Sequence, residues 1–285
     1  MYILYWSLIA LYLFSYTSAL EQNIVSIDQE RAVKQNSFGT NAEPVSLAQS
    51  IVPAIVSGKK IINLEQGNYT LSFAEIEDYI SKIYFLITIH GDYDVRVQIL
   101  DLPTVLQAFN FYFDSLELDL GSIYLYLWNV FNHLTINNCT FTRSTHAAIN
   151  QYRLANIQDG GQFIIQQTTI DGKGISGQAP LIEVGQSSYV SFINCIIQNL
   201  VVNSLETPVL VQGTNSLDYT LVIFKKVTIT GCSAQQSSAL YFSISFDNFD
   251  HSLPPSRPMQ LQIIDSSIIS SSQDQYIWGG KNSSE

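Results

Sequence analysis

An all-β solenoid, a right-handed parallel β-helix with a short helix over its N-terminal end, is the fold class this sequence predicts. Three observations predict it: a strand-forming composition, a motif that recurs through the second half of the chain, and a helix-then-strand pattern ahead of those repeats. The 285 residues are 46% hydrophobic and only 13% charged, with 16 Tyr and 15 Phe. That is enough apolar material for a core and too little Ala, Lys and Arg for long surface helices. Thr, Ser, Ile, Val, Gln and Asn, which suit strands and turns, fill much of the rest. A net charge of −11 repels phosphate backbones and anionic lipid, so nucleic acid is excluded as an expected partner.

Taken in order, the chain opens with an apolar run from Ile3 to Phe14, broken only by Ser7, then Thr17-Ser18-Ala19 and Glu21. A twelve-residue run, apolar but for Ser7, before a small-x-small site describes a secretory signal peptide, residues 1–19, and falls short of the roughly 20 that a membrane helix needs. The basic residues usual before such a run are missing, since Arg31 is the first in the chain. Residues 20–44 form an N-terminal extension. Residues 45–285 are assigned to the β-helix. Export is the expectation, to the medium or the outer face of the cell. Acceptor sequons at Asn68, Asn138 and Asn282 agree with it. Asn138 is sterically suspect because it falls inside a repeat. Ser46 is placed to cap a helix over Leu47 to Ser57 that Gly58 ends, with Pro53 an awkward interior residue. Then Ile61 to Leu71, Thr88 to Asp92 and Asp94 to Ile99 read as strands.

From Leu134 onward five segments share one order of residues: apolar, any, apolar, two polar-leaning, small, any, apolar. They are Leu134 to Phe141, Phe163 to Ile170, Val190 to Ile197, Val222 to Ile229 and Gln262 to Ile269. The small position falls at Cys139, Thr168, Cys195, Val227 and Ser267, at gaps of 29, 27, 32 and 40 residues. A second element follows at Ala147 to Ile149, Ala179 to Val184, Thr207 to Val211 and Ser238 to Phe242. Each unit is a strand, a two-residue turn, a short strand, a polar loop and another strand. Units this small cannot bury their own apolar face, so they stack. Parallel stacking sets equivalent residues about 4.8 Å apart and fills the interior with ladders of like residues.

The repeat spacing, the Asn138-Cys-Thr-Phe141 form and the helix followed by Leu64-Glu-Gln-Gly-Asn-Tyr69 resemble the pectin-lyase-like parallel β-helices, over about residues 45 to 280. The resemblance implies the fold. It does not by itself imply an activity, because that fold carries lyases, hydrolases, adhesins and scaffolds.

The chemistry-bearing residues narrow the reading. The inverting hydrolases of the resembled family share Asn-Thr-Asp, Asp-Asp, His-Gly and Arg-x-Lys motifs. Here there is no Asp-Asp, and His90-Gly91 comes too early with no later Arg-x-Lys. Asp171-Gly172-Lys173-Gly174 reads as a turn. The acidic group Asp114, Glu117 and Asp119, with Tyr126 and Trp128 as aromatic platforms, is the candidate sugar or cation patch. Ca2+ enters only if the protein is a lyase. Arg143 and Arg153 have no evident pairing with those carboxylates. His133, His146 and His251 lack zinc-ligand spacing, so no metal is assigned. Three cysteines cannot all pair. Cys139 and Cys195 fall two coils apart, too far for a disulfide. No disulfide is assigned, buried thiols are expected, and Cys195–Cys232 is the alternative. A proline-marked insertion, Asp247 to Pro258, accounts for the last gap. The chain stops soon after its last repeat, which suggests a fragment, with any membrane segment beyond residue 285. The expected function is non-catalytic recognition, adhesion or scaffolding, with glycans or other surface proteins as partners. The alternative is a divergent polysaccharide lyase or glycoside hydrolase.

Overall fold

The computed structural model describes residues 24–27, 44–58, 60–72, 74–80, 86–92, 94–101, 109–119, 125–127, 132–143, 154–203, 210–213, 219–234, 240–244, 260–269 and 278–282. The 1–19 segment, Trp128, Ala147 to Ile149 and the Asp247 to Pro258 insertion lie outside them. Among the described residues no helix is long and apolar enough to cross a membrane.

The architecture is a parallel β-solenoid, with every strand pair parallel. Two nine-stranded sheets run its length. The first holds Ile24–Ile27, Ile61–Leu64, Ile87–Gly91, Phe109–Asp114, Asn132–Asn137, Gln162–Gln166, Tyr189–Ile193, Leu221–Lys225 and Gln260–Ile264. The second begins one corner later in each coil and includes Gly67–Ser72, Val95–Asp101, Glu117–Asp119, Thr140–Thr142, Thr169–Asp171, Ile196–Gln198 and Thr228–Thr230. A six-stranded third sheet and a small three-stranded one complete the wall.

Period-two alternation decides which side chains enter the core. In the first sheet one interior column reads Ile62, Ile89, Phe113, Ile136, Ile165, Phe192, Phe224 and Ile263, each in register with the next. A second reads Ile87, Phe111, Leu134, Phe163, Val190, Val222 and Leu261. Opposite them the second sheet contributes Tyr69, Val97, Leu118, Phe141, Ile170, Ile197 and Ile229, all buried. The Phe192 and Phe224 rings stack 5.0 Å apart and nearly parallel, an arrangement worth about 0.5–1.5 kcal/mol beyond their buried area.

The corner between the two sheets is built the same way in every repeat. One residue takes positive φ (Ser115, Asn138, Gln167, Asn194, Lys226 and Asp265, φ between 49 and 57°), and the next turns inward. Those inward residues stack as Leu116, Cys139, Thr168, Cys195, Val227 and Ser266, the carbonyl of each accepting from the amide just after its successor on the next coil. The last member corrects the sequence reading, which put Ser267 here. The register pairs Leu261 with Val222 and Ile263 with Phe224, and the Ser266 hydroxyl donates to the Phe224 and Ile264 carbonyls. A one-residue slip reverses every side chain of a strand. The mismatch of Gln262 with an apolar position was the sign of that slip, and the true gap is 39 residues.

The third sheet holds Ile182–Val184, Val211–Gly213 and Leu240–Ile244 near the predicted second elements. In the first repeat the equivalent strand is Ala155–Ile157, in register with Ile182–Val184. At the front of the solenoid the helix Ala48–Val56 buries Ala48, Ile51, Ala54 and Ile55 in the same core cluster. Its end at Gly58, φ +75°, is as expected. Its cap is not: Leu47 holds the N-cap position, and the Ser46 hydroxyl donates instead to Glu75.

All three cysteines are free and buried. Cys232 stacks at the next corner, above Leu200, so Cys195 and Cys232 occupy different columns and form no bridge. Burial pushes the Cys139 thiol up to about 12 and the Cys232 thiol up to about 11, and raises Cys195 as well. Native protein is therefore expected to resist thiol alkylation near pH 8, where an ordinary cysteine is partly thiolate, and to react fully once unfolded; labelling followed by mass measurement checks this. For the core column, Phe224→Ala is expected to cost about 3–5 kcal/mol in denaturant unfolding. Ile263→Ala in the same column should cost clearly less, because Ile263 is 44% exposed. Equal losses would contradict the described packing.

Candidate functional site

Stacking that aligns the core also aligns the outer face. On the second sheet the outward positions form two columns. One reads Asn68, Arg96, Glu117, Thr140, Thr169 and Ile196. The neighbouring one includes Thr142, Asp171, Gln198 and Thr230. Across the first of these strands lies an open groove of about 380 Å³, lined by Pro44, Asn68, Arg96, Gln98, Glu117, Thr142, Arg143 and Lys173 among others. From the Asn68 strand to the Asp171 strand is four rungs, about 19 Å at 4.8 Å each.

Within the groove Arg96 Nε donates to Glu117 Oε2 at 2.8 Å. Arg96 and Glu117 are rung neighbours in register, so backbone stacking alone brings the charges together. Arg143 enters from the strand end with its side chain almost wholly buried, and its guanidinium donates to the Ile175 carbonyl. Lys173 projects from the turn after Asp171. There the Asp171 carboxylate accepts the Lys173 backbone N–H at 2.8 Å, the Gln198 amide at 2.9 Å and the Asn199 amide at 3.1 Å. Partial burial pushes the Asp171 carboxyl up, but those three donors and the Lys173 charge together hold it below the usual range. Gly172 is required at this turn. A Cβ there would lie 2.5 Å from the Asn199 carbonyl oxygen of the next coil.

The structure divides the predicted patch. Ser115 makes the corner between Asp114 and Glu117, so Asp114 faces out from the first sheet and Glu117 from the second. Asp119, two positions after Glu117 on the same strand, holds a position of the same face in register with Thr142; its side chain is outside the description. Tyr126 lies in the third sheet opposite Asn156, on another wall from Glu117, again without a described side chain. Of the sequons, Asn68 lines the groove and is exposed, and Asn138 is exposed at a corner rather than enclosed by its repeat. Asn282 pairs by backbone with Ile244. Arg143, unpaired in the sequence reading, shares the groove with Glu117. Arg96, Gln98, Thr142 and Lys173 were missed. Marking outward positions rung by rung would have found Arg96 and Gln98, whereas Lys173 reaches the groove only through the turn.

Asp114 belongs to a second cluster. His90 Nδ1 lies 2.8 Å from Asp114 Oδ2, and Asn137 donates to Asp114 Oδ1 at 2.7 Å. A carboxylate only accepts, so His90 carries its proton on Nδ1. The Tyr112 hydroxyl, two residues before Asp114 on the same strand and face, has its pKa raised by burial and by the charge of Asp114. Among the described residues no group of His, Cys, Asp and Glu is disposed to hold a metal ion.

Fold and groove together define a class: a parallel β-solenoid with a polar, cation-lined groove on its outer wall. Comparisons with protein-family models, with curated proteins and with solved structures find no match.

The Asp171 cluster has a pH consequence. A folded carboxyl held below its unfolded value, about 3.9, stabilises the fold above that value and loses this contribution as pH falls through the folded pKa. Asp171→Asn is therefore expected to be less stable than the natural chain at neutral pH, with the difference closing as pH falls below the usual carboxylate range and through the lowered folded pKa. Urea unfolding at several pH values checks it; a difference independent of pH would refute the assignment.

Proposed function

We propose that the protein is an exported recognition module, at the cell surface or outside it, whose outer groove holds a polyhydroxylated, saccharide-like ligand. One observation carries this reading. Donors and acceptors at Asn68, Arg96, Gln98, Glu117 and Thr142 are set on strands, with Lys173 on the turn after Asp171, along one open groove of about 380 Å³, within the range usual for ligand sites. Strand-mounted side chains at a fixed rung spacing are preorganised, which reduces the ordering cost of binding. A linear polymer with hydroxyls at regular intervals suits such a row. The three cations Arg96, Arg143 and Lys173 favour ligands that carry carboxylate or another anionic group.

Binding fits the geometry better than turnover. Glu117 is engaged by Arg96, whereas glycoside hydrolysis takes two carboxylates facing one bond. A lyase remains the second reading, favoured by the basic side chains Arg143 and Lys173 beside Glu117; Ca2+ would enter only there.

Titration calorimetry against neutral and acidic oligosaccharides is expected to show saturable binding that Lys173→Ala weakens about tenfold, the loss of one charge-assisted contact. Failure of every saccharide to bind would remove the recognition reading. Release of reducing ends or unsaturated uronides, with or without Ca2+, would establish the enzymatic one.

A further inference from the structure

The groove contains its own modification site. Asn68-Tyr69-Thr70 is an acceptor sequon, and the strand Gly67–Ser72 splits it in a way that suits an attached sugar. Tyr69 points inward and is 1% exposed, while Asn68 points outward and is exposed. Asn68 lines the groove, in register with Arg96 on the next rung. Pro44 forms the adjoining wall, and Gln98, Glu117 and Thr142 lie further along. Asn138 shows the contrast: it is exposed at a corner, its amide donates to the Ser115 hydroxyl, and it is outside the lining of this groove.

We infer that Asn68 carries an N-linked glycan whose first sugars lie along the groove, so that the protein masks its own binding site until the glycan is trimmed or absent. The reaction is a glycosyl transfer from a lipid-pyrophosphate oligosaccharide by the host's transferase. The Asn68 amide nitrogen forms a bond to the anomeric carbon, the bond from that carbon to the pyrophosphate oxygen breaks, and lipid pyrophosphate and the displaced amide proton leave. N-acetyl and hydroxyl groups of the attached sugars then meet the Arg96, Gln98, Glu117 and Thr142 side chains, the same groups proposed to hold an external saccharide. Tethering makes that contact intramolecular, so a weak intrinsic affinity suffices. The inference rests on the reading of an exported protein and adds regulation to its groove.

The test uses the full chain secreted from a eukaryotic host, with Thr70→Ser, which keeps the sequon, and Thr70→Val, which removes it. Thr70 is outside the groove lining. Peptide mapping reads glycan at Asn68, and a dicarbonyl reagent reads the accessibility of Arg96. The natural chain and Thr70→Ser are expected to carry the glycan and to show Arg96 modified several-fold more slowly than in Thr70→Val. Endoglycosidase treatment of the native glycoprotein should restore the faster rate. A secreted chain bare at Asn68, or equal Arg96 rates in all three proteins, overturns the masking; retention of the chain inside the cell overturns export and masking together. Saccharide binding by Thr70→Val is read separately: binding with equal Arg96 rates leaves recognition standing and removes masking, and Arg96 protection without binding does the reverse.

Discussion

In-register parallel stacking of coil on coil is the constraint from which the rest of this structure follows. Each rung repeats the one before it at about 4.8 Å, so a side chain must suit the same environment as its predecessor and its successor. The column from Ile62 to Ile263 meets that condition with Ile and Phe throughout. No single coil could bury such a face alone. The helix Ala48–Val56 packs into the same cluster, so its helical order and that of the first coils are one event.

The corners are the second condition. A strand that turns sharply without leaving its rung needs one residue in the left-handed region, where Asn and Asp are easily placed and Gln or Lys costs of order 1–3 kcal/mol. Asn138, Asn194 and Asp265 fit cheaply; Gln167 and Lys226 do not. The following position lies against the carbonyls of the coil before; it is Leu116 at the first of these corners and small or compact from Cys139 onward. Cys139, Cys195 and Ser266 each donate there, and Thr168 donates to the nearby Gln166 carbonyl. These cysteines are thus corner residues, and their raised thiols follow from burial rather than from reactive surroundings.

Function enters where the same stacking acts on the outside. A column that is apolar within is matched by one that is displayed without, and neighbours on it touch whether or not they attract. Arg96 meets Glu117 and His90 meets Asp114 because their strands are in register. Both contacts join residues over twenty positions apart. The groove is therefore a property of several coils at once, which is why it tolerates a polar, cation-rich lining in a chain of net charge −11.

The solenoid was legible in the sequence because period-two alternation and repeat spacing report directly on which side chains face inward, and Leu134 to Phe141 through Val222 to Ile229 fell in the correct register. Where several registers were nearly equal in local pattern, sequence could not choose: Gln262 and Leu261 both start an apolar-looking segment, and only pairing with Val222 selects Leu261. The Ser46 cap failed because a tertiary partner, Glu75, took its hydroxyl. The acidic patch divided because adjacency along the chain ignores the corner at Ser115. By itself the sequence determined the coil, its interior and its buried thiols, which depend on residue type and period. Only the tertiary structure decided that Asn68, Arg96, Glu117 and Lys173 share one groove, since that follows from the stacking of strands distant in sequence.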